Sequence, residues 1–512
     1  MLTLRFARGR SGSPGGRTEL SWLQSGTWVL LVLVSSSVSA QDDATTKSKS
    51  GQGGAAAASK PGESKKAASP KESGKAEQAK GATAPEAAAG SPADPSKSTK
   101  VSPVEILRDP RAEKLVDVKK YQEVKARAVG QEDINALKAM ADPNANIDLG
   151  LINRVVDAMA AKLTDHSNIQ ALIDPPAGQS PNSAAAKAIQ EATAALLEPL
   201  FAAKAAKNQG FLAQYNRVLL QRLRPLLKNH LIPRIQVSII LGQSAYPDAL
   251  PTFLEQIKDD KQTIWVKLWA MEGIANIVEE GSRIPASNRI DAGKVIADFL
   301  KNEDDIPWPA QLRALEALGA LRQGFRVNAP KEAEMASAAM RLLTDFQAKP
   351  EVRAEAARAL GLMEITSAVR GYNFALVAHV TGLLAADLGT QIGANFKNNP
   401  VKSRYLTVLL AGPVFEAFDG VPGMRDSGLA HMASGEGGTY VTQVFDLVKP
   451  VVKAASDLLV APSRQVPDRQ KDLAAKVAAL KQFLGKNTPR NRSLVQGGPE
   501  FPLGDTAAGL PG

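Results

Sequence analysis

Residues 352–361 read VRAEAARALG, and three earlier stretches of the chain repeat this pattern. The earlier stretches are residues 233–242 (PRIQVSIILG), 266–275 (VKLWAMEGIA) and 310–319 (AQLRALEALG). In every stretch the first, fifth and ninth residues are apolar, and positions four apart share one face of a helix. The starts are 33, 44 and 42 residues apart, an interval typical of stacked helical hairpins. The pattern therefore predicts an all-α protein built on a helical-hairpin repeat.

A first helix that ends on an acidic residue precedes three of the four stretches. The acids, each seven residues before the second helix, are Asp259, Glu303 and Asp345. One residue into the second helices stand Lys267, Gln311 and Arg353.

These features resemble the HEAT-repeat family over about residues 230–365. Members of that family carry a V-R-x-x-A-x-x-A-L-G second helix, and residues 351–361 match it best. The resemblance implies a HEAT-like α-solenoid, flanked here by additional helices, that binds another protein along its inner helices. An ordinary helical bundle stays the alternative, because alanine-rich amphipathic helices give a similar pattern.

The resemblance also implies a ladder between repeats, in which the turn acid pairs with the following basic residue. It would join Asp259 to Lys267 and Asp345 to Arg353 as structural contacts. Gln311 interrupts the ladder in the third repeat, and Leu226 stands in the acid's place before the first repeat. The first repeat is therefore expected to be a degenerate cap.

The first forty residues have the form of a secretory signal. Four arginines precede the apolar run 28–34, and small residues lead to a cleavage site after Ala40. The apolar run is shorter than the ~20 residues that a membrane span needs, so cleavage is favoured over retention as an anchor. We expect a secreted, periplasmic or cell-envelope protein with no transmembrane span after signal removal.

Residues 41–100 contain no aromatic and no large aliphatic side chain, which predicts a disordered tether. Its lysines suggest a second possibility, contact with an anionic envelope polymer; they are Lys65, Lys66, Lys71, Lys75 and Lys80. The chain has no cysteine, which excludes disulfides, thiolate metal sites and a cysteine nucleophile.

The remaining chain divides into four parts by composition. We expect an N-terminal helical region at 101–228, the repeats at 229–370, and a C-terminal helical region at 371–484 with a glycine-rich loop at 419–438. Residues 485–512 are expected to be a disordered tail. The net charge of +10 leaves only +4 for residues 101–512, and without interleaved aromatic residues this argues against a nucleic-acid partner.

Catalytic signals are weak. None of the four histidines has another histidine or an acid at metal-ligand spacing, and no phosphate-binding loop, nucleophile elbow or H-E-x-x-H motif occurs. Arg425, Asp426 and His431 share the glycine-rich loop, which would be the seat of any enzymatic site. We expect a non-catalytic protein without metal or cofactor.

A partner-binding face is suggested by positions that are equivalent among the repeats. Trp265 and Trp269 lie four residues apart on a face that carries Arg313 and Glu355 in later repeats. Tryptophan and arginine dominate binding energy at interfaces. The alternative is that the loop 282–288 covers the tryptophans. The other charges of this face, including Glu316, Glu355 and Arg358, are expected to be solvated.

These observations favour a protein-binding scaffold. Two alternatives stay open: an envelope structural component that grips anionic polymer through its tether, and an enzyme with a site near 419–438.

Overall fold

The computed structural model describes residues 118–173, 184–280, 284–302, 305–325, 333–365 and 371–503. All regular structure in these ranges is helical, apart from isolated bridges between Gln323 and Glu364 and between Ser493 and Glu500. The all-α prediction is confirmed. The expected signal peptide and tether lie outside the described residues.

Five helices form the N-terminal group. They are α1 (Gln131–Ala139), α2 (Leu149–Thr164), α3 (His166–Ile173), α4 (Ala184–Ala206) and α5 (Gln209–Leu223). Helices α2 and α3 pack on α4, and α5 packs on α2. Tyr215 is buried in this core, where its hydroxyl donates to the Leu196 carbonyl at 2.8 Å and its ring stacks on Phe211.

Seven helices cover the region of the repeats. They are α6 (Leu231–Ser244), α7 (Leu250–Lys258), α8 (Ile264–Glu279), α9 (Ala286–Asn302), α10 (Trp308–Leu321), α11 (Glu334–Thr344) and α12 (Pro350–Leu362). Helices α6, α8, α10 and α12, here called the inner helices, contact one another in chain order. Each of the outer helices α7, α9 and α11 packs on the inner helix that follows it.

Small residues set the spacing between inner helices. A Cβ atom placed on Gly242 would lie 3.2 Å from the Gly273 Cα, and one on Gly319 would lie 3.4 Å from the Ala359 Cα. The glycine that ends the repeated pattern therefore lets neighbouring inner helices approach closely. Gly361 does the same toward the C-terminal region, because its added Cβ would lie 2.6 Å from the Cα of Ala417.

The C-terminal group begins after the last repeat. It contains α13 (Phe374–Asn395), α14 (Pro400–Leu409), α15 (Phe415–Asp419), α16 (Leu429–Met432), α17 (Gly435–Leu459) and α18 (Val466–Lys486). A π-helical segment, Leu410–Val414, joins α14 to α15 and contains Pro413. The glycine-rich loop is shorter than predicted, because α16 lies within it and α17 begins at Gly435.

Helix α13 bears on the expectation that no transmembrane span follows the signal. Among the described residues it is the one helix that is long and apolar enough to cross a membrane by length and composition, with a mean hydropathy of 1.3. The absence of a transmembrane span after signal removal therefore stays a prediction. However, 72% of the tested window is buried inside the protein, where α13 packs against α17 and α18. A core helix of a globular protein has the same character.

The tail differs from the expectation of disorder in residues 487–503. Leu494, Val495 and Phe501 are buried, and the Asn373 N–H donates to the Leu494 carbonyl at 2.8 Å. A few apolar side chains are enough here because they pack on a surface that the preceding helices already provide. Residues 504–512 lie outside the described part of the chain.

Candidate partner-binding surface

In the inner helices α8, α10 and α12, very few side chains are exposed to solvent even in part. Between Ile264 and Ile277 of α8, only Trp265 and Trp269 are not fully buried. Between Ala310 and Leu321 of α10 the corresponding residues are Gln311, Arg313 and Glu316, and between Val352 and Leu362 of α12 the residue is Arg358. The other side chains face an outer helix or a neighbouring inner helix. We call the surface formed by Trp265, Trp269, Glu272, Arg313, Glu316, Glu355 and Arg358 the inner strip.

Helices from both flanking groups bound the inner strip. On the N-terminal side α4 packs on α6, where the Thr193 hydroxyl donates to Gln236 Oε1 at 2.8 Å. Lys204 of α4 extends this boundary through an ion pair of 2.7 Å with Glu280, just beyond α8. On the other side α14 and α15 pack on α12. The inner strip is thus the part of the inner face that these groups leave uncovered.

The two tryptophans differ in what they offer to a partner. Both are half-buried and pack against the hydrophobic core. The indole N–H of Trp265 is buried and has no hydrogen-bond acceptor among the described residues. Trp269 shows no such buried polar atom, so it is the better candidate for contact with a partner. Of the loop 282–288 that was the alternative cover for them, residues 282 and 283 lie outside the described part of the chain.

Arg313 links α8 to α10. Its guanidinium forms an ion pair with Glu272 Oε2 at 2.7 Å across the helix pair, and it donates a hydrogen bond to Glu316 on its own helix. Burial alone would lower the pKa of Arg313, but Glu316 and Glu272 together raise it above its ordinary value. Arg313 therefore stays charged and is held in place by two carboxylates.

Arg358 links α12 to the C-terminal group. It donates to Glu355 Oε1 at 2.9 Å and to Glu416 Oε2 of α15 at 2.6 Å. Burial raises the pKa of the Glu355 carboxyl to about 7, because Arg358 offsets that burial only in part and Glu316 and Glu416 add repulsion. The expectation of solvated charges was wrong for this pair, since only 7% of Glu355 is exposed.

This network is rich in carboxyl groups. Those of Glu272, Glu316, Glu355 and Glu416 surround the guanidinium groups of Arg313 and Arg358. Glu316 and Trp269 are both partly exposed on the inner strip. Such a surface favours a cationic group presented together with an apolar one.

The ion pair of Arg353 differs from the contact with Asp345 that the ladder predicts. This arginine is 4% exposed, and its guanidinium lies 3.9 Å from Asp387 of α13 and 5.0 Å above the Phe346 ring. Asp345 instead accepts a hydrogen bond from the Gln347 N–H at 2.9 Å. Burial lowers the pKa of Arg353, while Asp387 and then Asp345 oppose this effect. The direct ion pair of Arg353 is therefore with the C-terminal group.

At the second predicted rung, Lys267 is 1% exposed. Its ammonium lies 5.6 Å from the ring centre of Phe299 on α9. Asp259 accepts a hydrogen bond from the Lys261 N–H at 2.9 Å, as Asp345 does in its own turn. Both turn acids thus stabilise the turn between an outer and an inner helix.

The glycine-rich loop forms a shallow depression of about 410 Å³. His431 lies in its lining, and the ring Nε2 contacts the Asp419 carbonyl oxygen at 3.1 Å. Arg322 donates to the carbonyls of Arg425 and Asp426, which anchors the loop to the end of α10. His431 is thus held by a backbone carbonyl. No cluster of three or more possible metal ligands occurs in the ranges that the structure describes.

No protein-family model, curated protein or solved structure matches this chain. The HEAT resemblance therefore remains a prediction from the residues quoted above.

Sequence reasoning placed Trp269, Arg313 and Glu355 at equivalent positions, and all three lie on the inner strip. It missed Glu272 and Glu416. Glu272 could have been found, because it occupies the seventh position of its repeat, as Glu316 does. Glu416 lies outside the repeats, and its pairing depends on how α15 packs.

Proposed function

We propose that this chain is a non-catalytic protein-binding scaffold whose HEAT-like solenoid binds another protein at the inner strip. We further propose that it acts outside the cytoplasm, as a secreted or envelope-located protein, on the strength of the predicted signal.

The order of helix packing supports the solenoid. Each outer helix packs on the next inner helix, and each inner helix packs on the preceding one. This nearest-neighbour arrangement is the one that repeat proteins use to bury their apolar faces. The two flanking groups cap it at α6 and at α12.

The inner strip carries the proposal for binding. Its partly exposed surface combines Trp269 with Arg313 and Glu316. We infer a protein partner that presents an apolar side chain to Trp269 and a lysine or arginine to Glu316. Each such contact is of the kind that contributes ~1–3 kcal/mol at interfaces.

Affinity capture from an envelope extract tests this proposal. Residues 101–512 serve as bait beside variants Trp269→Ala and Glu316→Lys, with circular dichroism to verify that all baits stay helical. Asp291→Lys is the matched control, because it makes the same charge change at an exposed position of the outer helix α9.

We expect one protein to be retained by the unaltered bait and the control, and to be lost from both strip variants. Retention of the same proteins by all four baits would refute binding at the inner strip. Capture of nothing by the unaltered bait would refute the scaffold in that extract.

A further inference from the structure

One end of the C-terminal group is unusually apolar and basic at its surface. The two most exposed large hydrophobic residues of the described chain are Val460, 81% exposed, and Val401, 75% exposed. Val460 follows the last residue of α17, and Val401 is the second residue of α14. Single exposed aliphatic residues are common on protein surfaces. The two valines therefore indicate a functional surface only if they lie at the same end of the helices.

Helix packing brings both valines to the same end. A Cβ on Gly382 of α13 would contact Val444 and Leu484, and one on Gly389 would contact Val451 and Val477. Helix α17 therefore runs parallel to α13, and α18 runs antiparallel to it. The Gln470 amide of α18 also donates to the Gly393 carbonyl at 3.0 Å.

At this end, α13 and α17 extend a similar distance along their axes. From the level of Gly389, α13 continues to Asn395 and α17 continues from Val451 to Leu459. At 1.5 Å per residue both helices extend roughly 10 Å beyond that level. Ser403 of α14 donates to the Ile392 carbonyl at 3.1 Å, which holds the start of α14 at the same end.

The connecting segments at this end carry only positive charge. Residues 396–404 and 459–465 contain Lys397, Lys402, Arg404 and Arg464, and neither segment has an acidic residue. All four cations are exposed, and none forms an ion pair with another described residue. Two helices end here and two begin here, so the helix dipoles largely cancel. Asp468, in the first turn of α18, is an exposed acid next to these segments, and the four cations outnumber it. We call this surface, with Val401 and Val460, the basic end.

We propose that the basic end docks onto an anionic phospholipid membrane. Lysine and arginine side chains would contact the headgroups, while Val401 and Val460 enter the boundary with the acyl chains. The two segments have no exposed aromatic residue on which a nucleic acid base could stack, which favours a lipid surface over nucleic acid. This role is independent of the protein partner proposed for the inner strip.

The absence of cysteine permits a direct test with the full chain. A single cysteine placed by Val460→Cys or Val401→Cys can carry a polarity-sensitive fluorophore, and Gln482→Cys places the same probe on an exposed position farther along α18. Vesicles of phosphatidylcholine alone are compared with vesicles containing phosphatidylglycerol.

We expect a blue shift at positions 401 and 460 with the anionic vesicles only, and none at position 482. No shift at 401 and 460, or an equal shift at all three positions, would overturn the proposal. The second outcome would indicate nonspecific adsorption of the whole chain.

Two charge-reversal variants distinguish binding through the basic end from attraction by the other positive charges of the protein. The triple variant Lys402→Glu, Arg404→Glu, Arg464→Glu is compared with the control Lys481→Glu, Lys486→Glu, Arg490→Glu, which makes the same net-charge change at the opposite end of α18 and beyond it. Each cation near an anionic surface contributes roughly fivefold to binding.

We therefore expect the first variant to lose about a hundredfold in partitioning to the anionic vesicles and the control to lose several times less. Equal losses would overturn the assignment to the basic end and point to net charge instead. Because this assay contains no protein partner, its failure would leave the capture experiment on the inner strip unaffected.

Discussion

Replacing His379 by glutamine should remove an acid-induced loss of stability from this protein. His379 lies on α13 and is fully buried. Its Nδ1 is 2.8 Å from the Tyr440 hydroxyl, and its Nε2 has no partner among the residues that the structure describes. Burial lowers the pKa of the imidazole from 6.5 to about 4. The folded protein therefore holds this ring neutral where the unfolded chain would protonate it.

The sign and size follow from proton linkage. Between pH 6.5 and pH 4 the unfolded state binds the extra proton, so the free energy of unfolding decreases as the pH falls. The contribution is fully present above pH 6.5. With these pKa values about 2 kcal/mol is lost between pH 7.5 and pH 5. Glutamine can still bond to Tyr440 but does not titrate.

Urea unfolding at pH 7.5 and pH 5, followed by far-ultraviolet circular dichroism, measures this effect. Other titrating groups are present in both proteins and cancel in the comparison. We expect the unaltered protein to lose about 2 kcal/mol more than His379→Gln on acidification. Equal losses would refute the argument that His379 is buried in its neutral form.

Three further predictions concern the inner helices and their contacts. Gly361→Ala should lower the free energy of unfolding by about 3 kcal/mol, because the new Cβ enters the backbone of α15. Gly485→Ala, at a position with open space around it, should raise the free energy of unfolding by about 0.5–1 kcal/mol. Thermal unfolding distinguishes the two variants. Arg353→Met should cost about 1–3 kcal/mol, because it removes the cation beside the half-buried Asp387 and the donor to the buried Leu343 carbonyl. Asp345→Asn should cost under about 1 kcal/mol, and equal costs in urea unfolding would favour the predicted ladder. The pKa of Glu355 is raised from 4.5 to about 7, so the stability that its protonated form contributes is present below pH 4.5 and is lost as the pH rises through 7. Glutamine does not titrate. We therefore expect Glu355→Gln to gain stability relative to the unaltered protein between about pH 5 and about pH 8, as measured by the midpoints of urea unfolding.

The repeated pattern was informative because helix periodicity is a local property. It predicted the inner helices and the shared face of Trp269, Arg313 and Glu355 from spacing alone. The same spacing could not predict burial of Glu355. Its environment depends on α15, which follows more than fifty residues later in the chain.

Predictions from the sequence were wrong where short polar segments pack on surfaces that distant parts of the chain form. Residues 487–503 have few apolar side chains, yet Leu494 and Phe501 are buried because α13 and its neighbours supply the rest of the core. Likewise, Arg353 was expected to pair within its own hairpin but lies nearer to Asp387. Both outcomes depend on long-range packing, which composition and local spacing do not contain.

The inner strip can be compared with the equivalent positions of α6, which α4 covers. In α6, beneath α4, the fourth and seventh positions of the repeat are Gln236 and Ile239.

In α8 and α10 the fourth positions are Trp269 and Arg313, and the seventh are Glu272 and Glu316. In α12, on which α15 packs, they are Glu355 and Arg358. Buried ion pairs seldom add net stability compared with apolar side chains, so stability alone would favour residues like those of α6 throughout. The change to tryptophan and charge in α8 and α10 is the reason that we propose a binding partner for the inner strip.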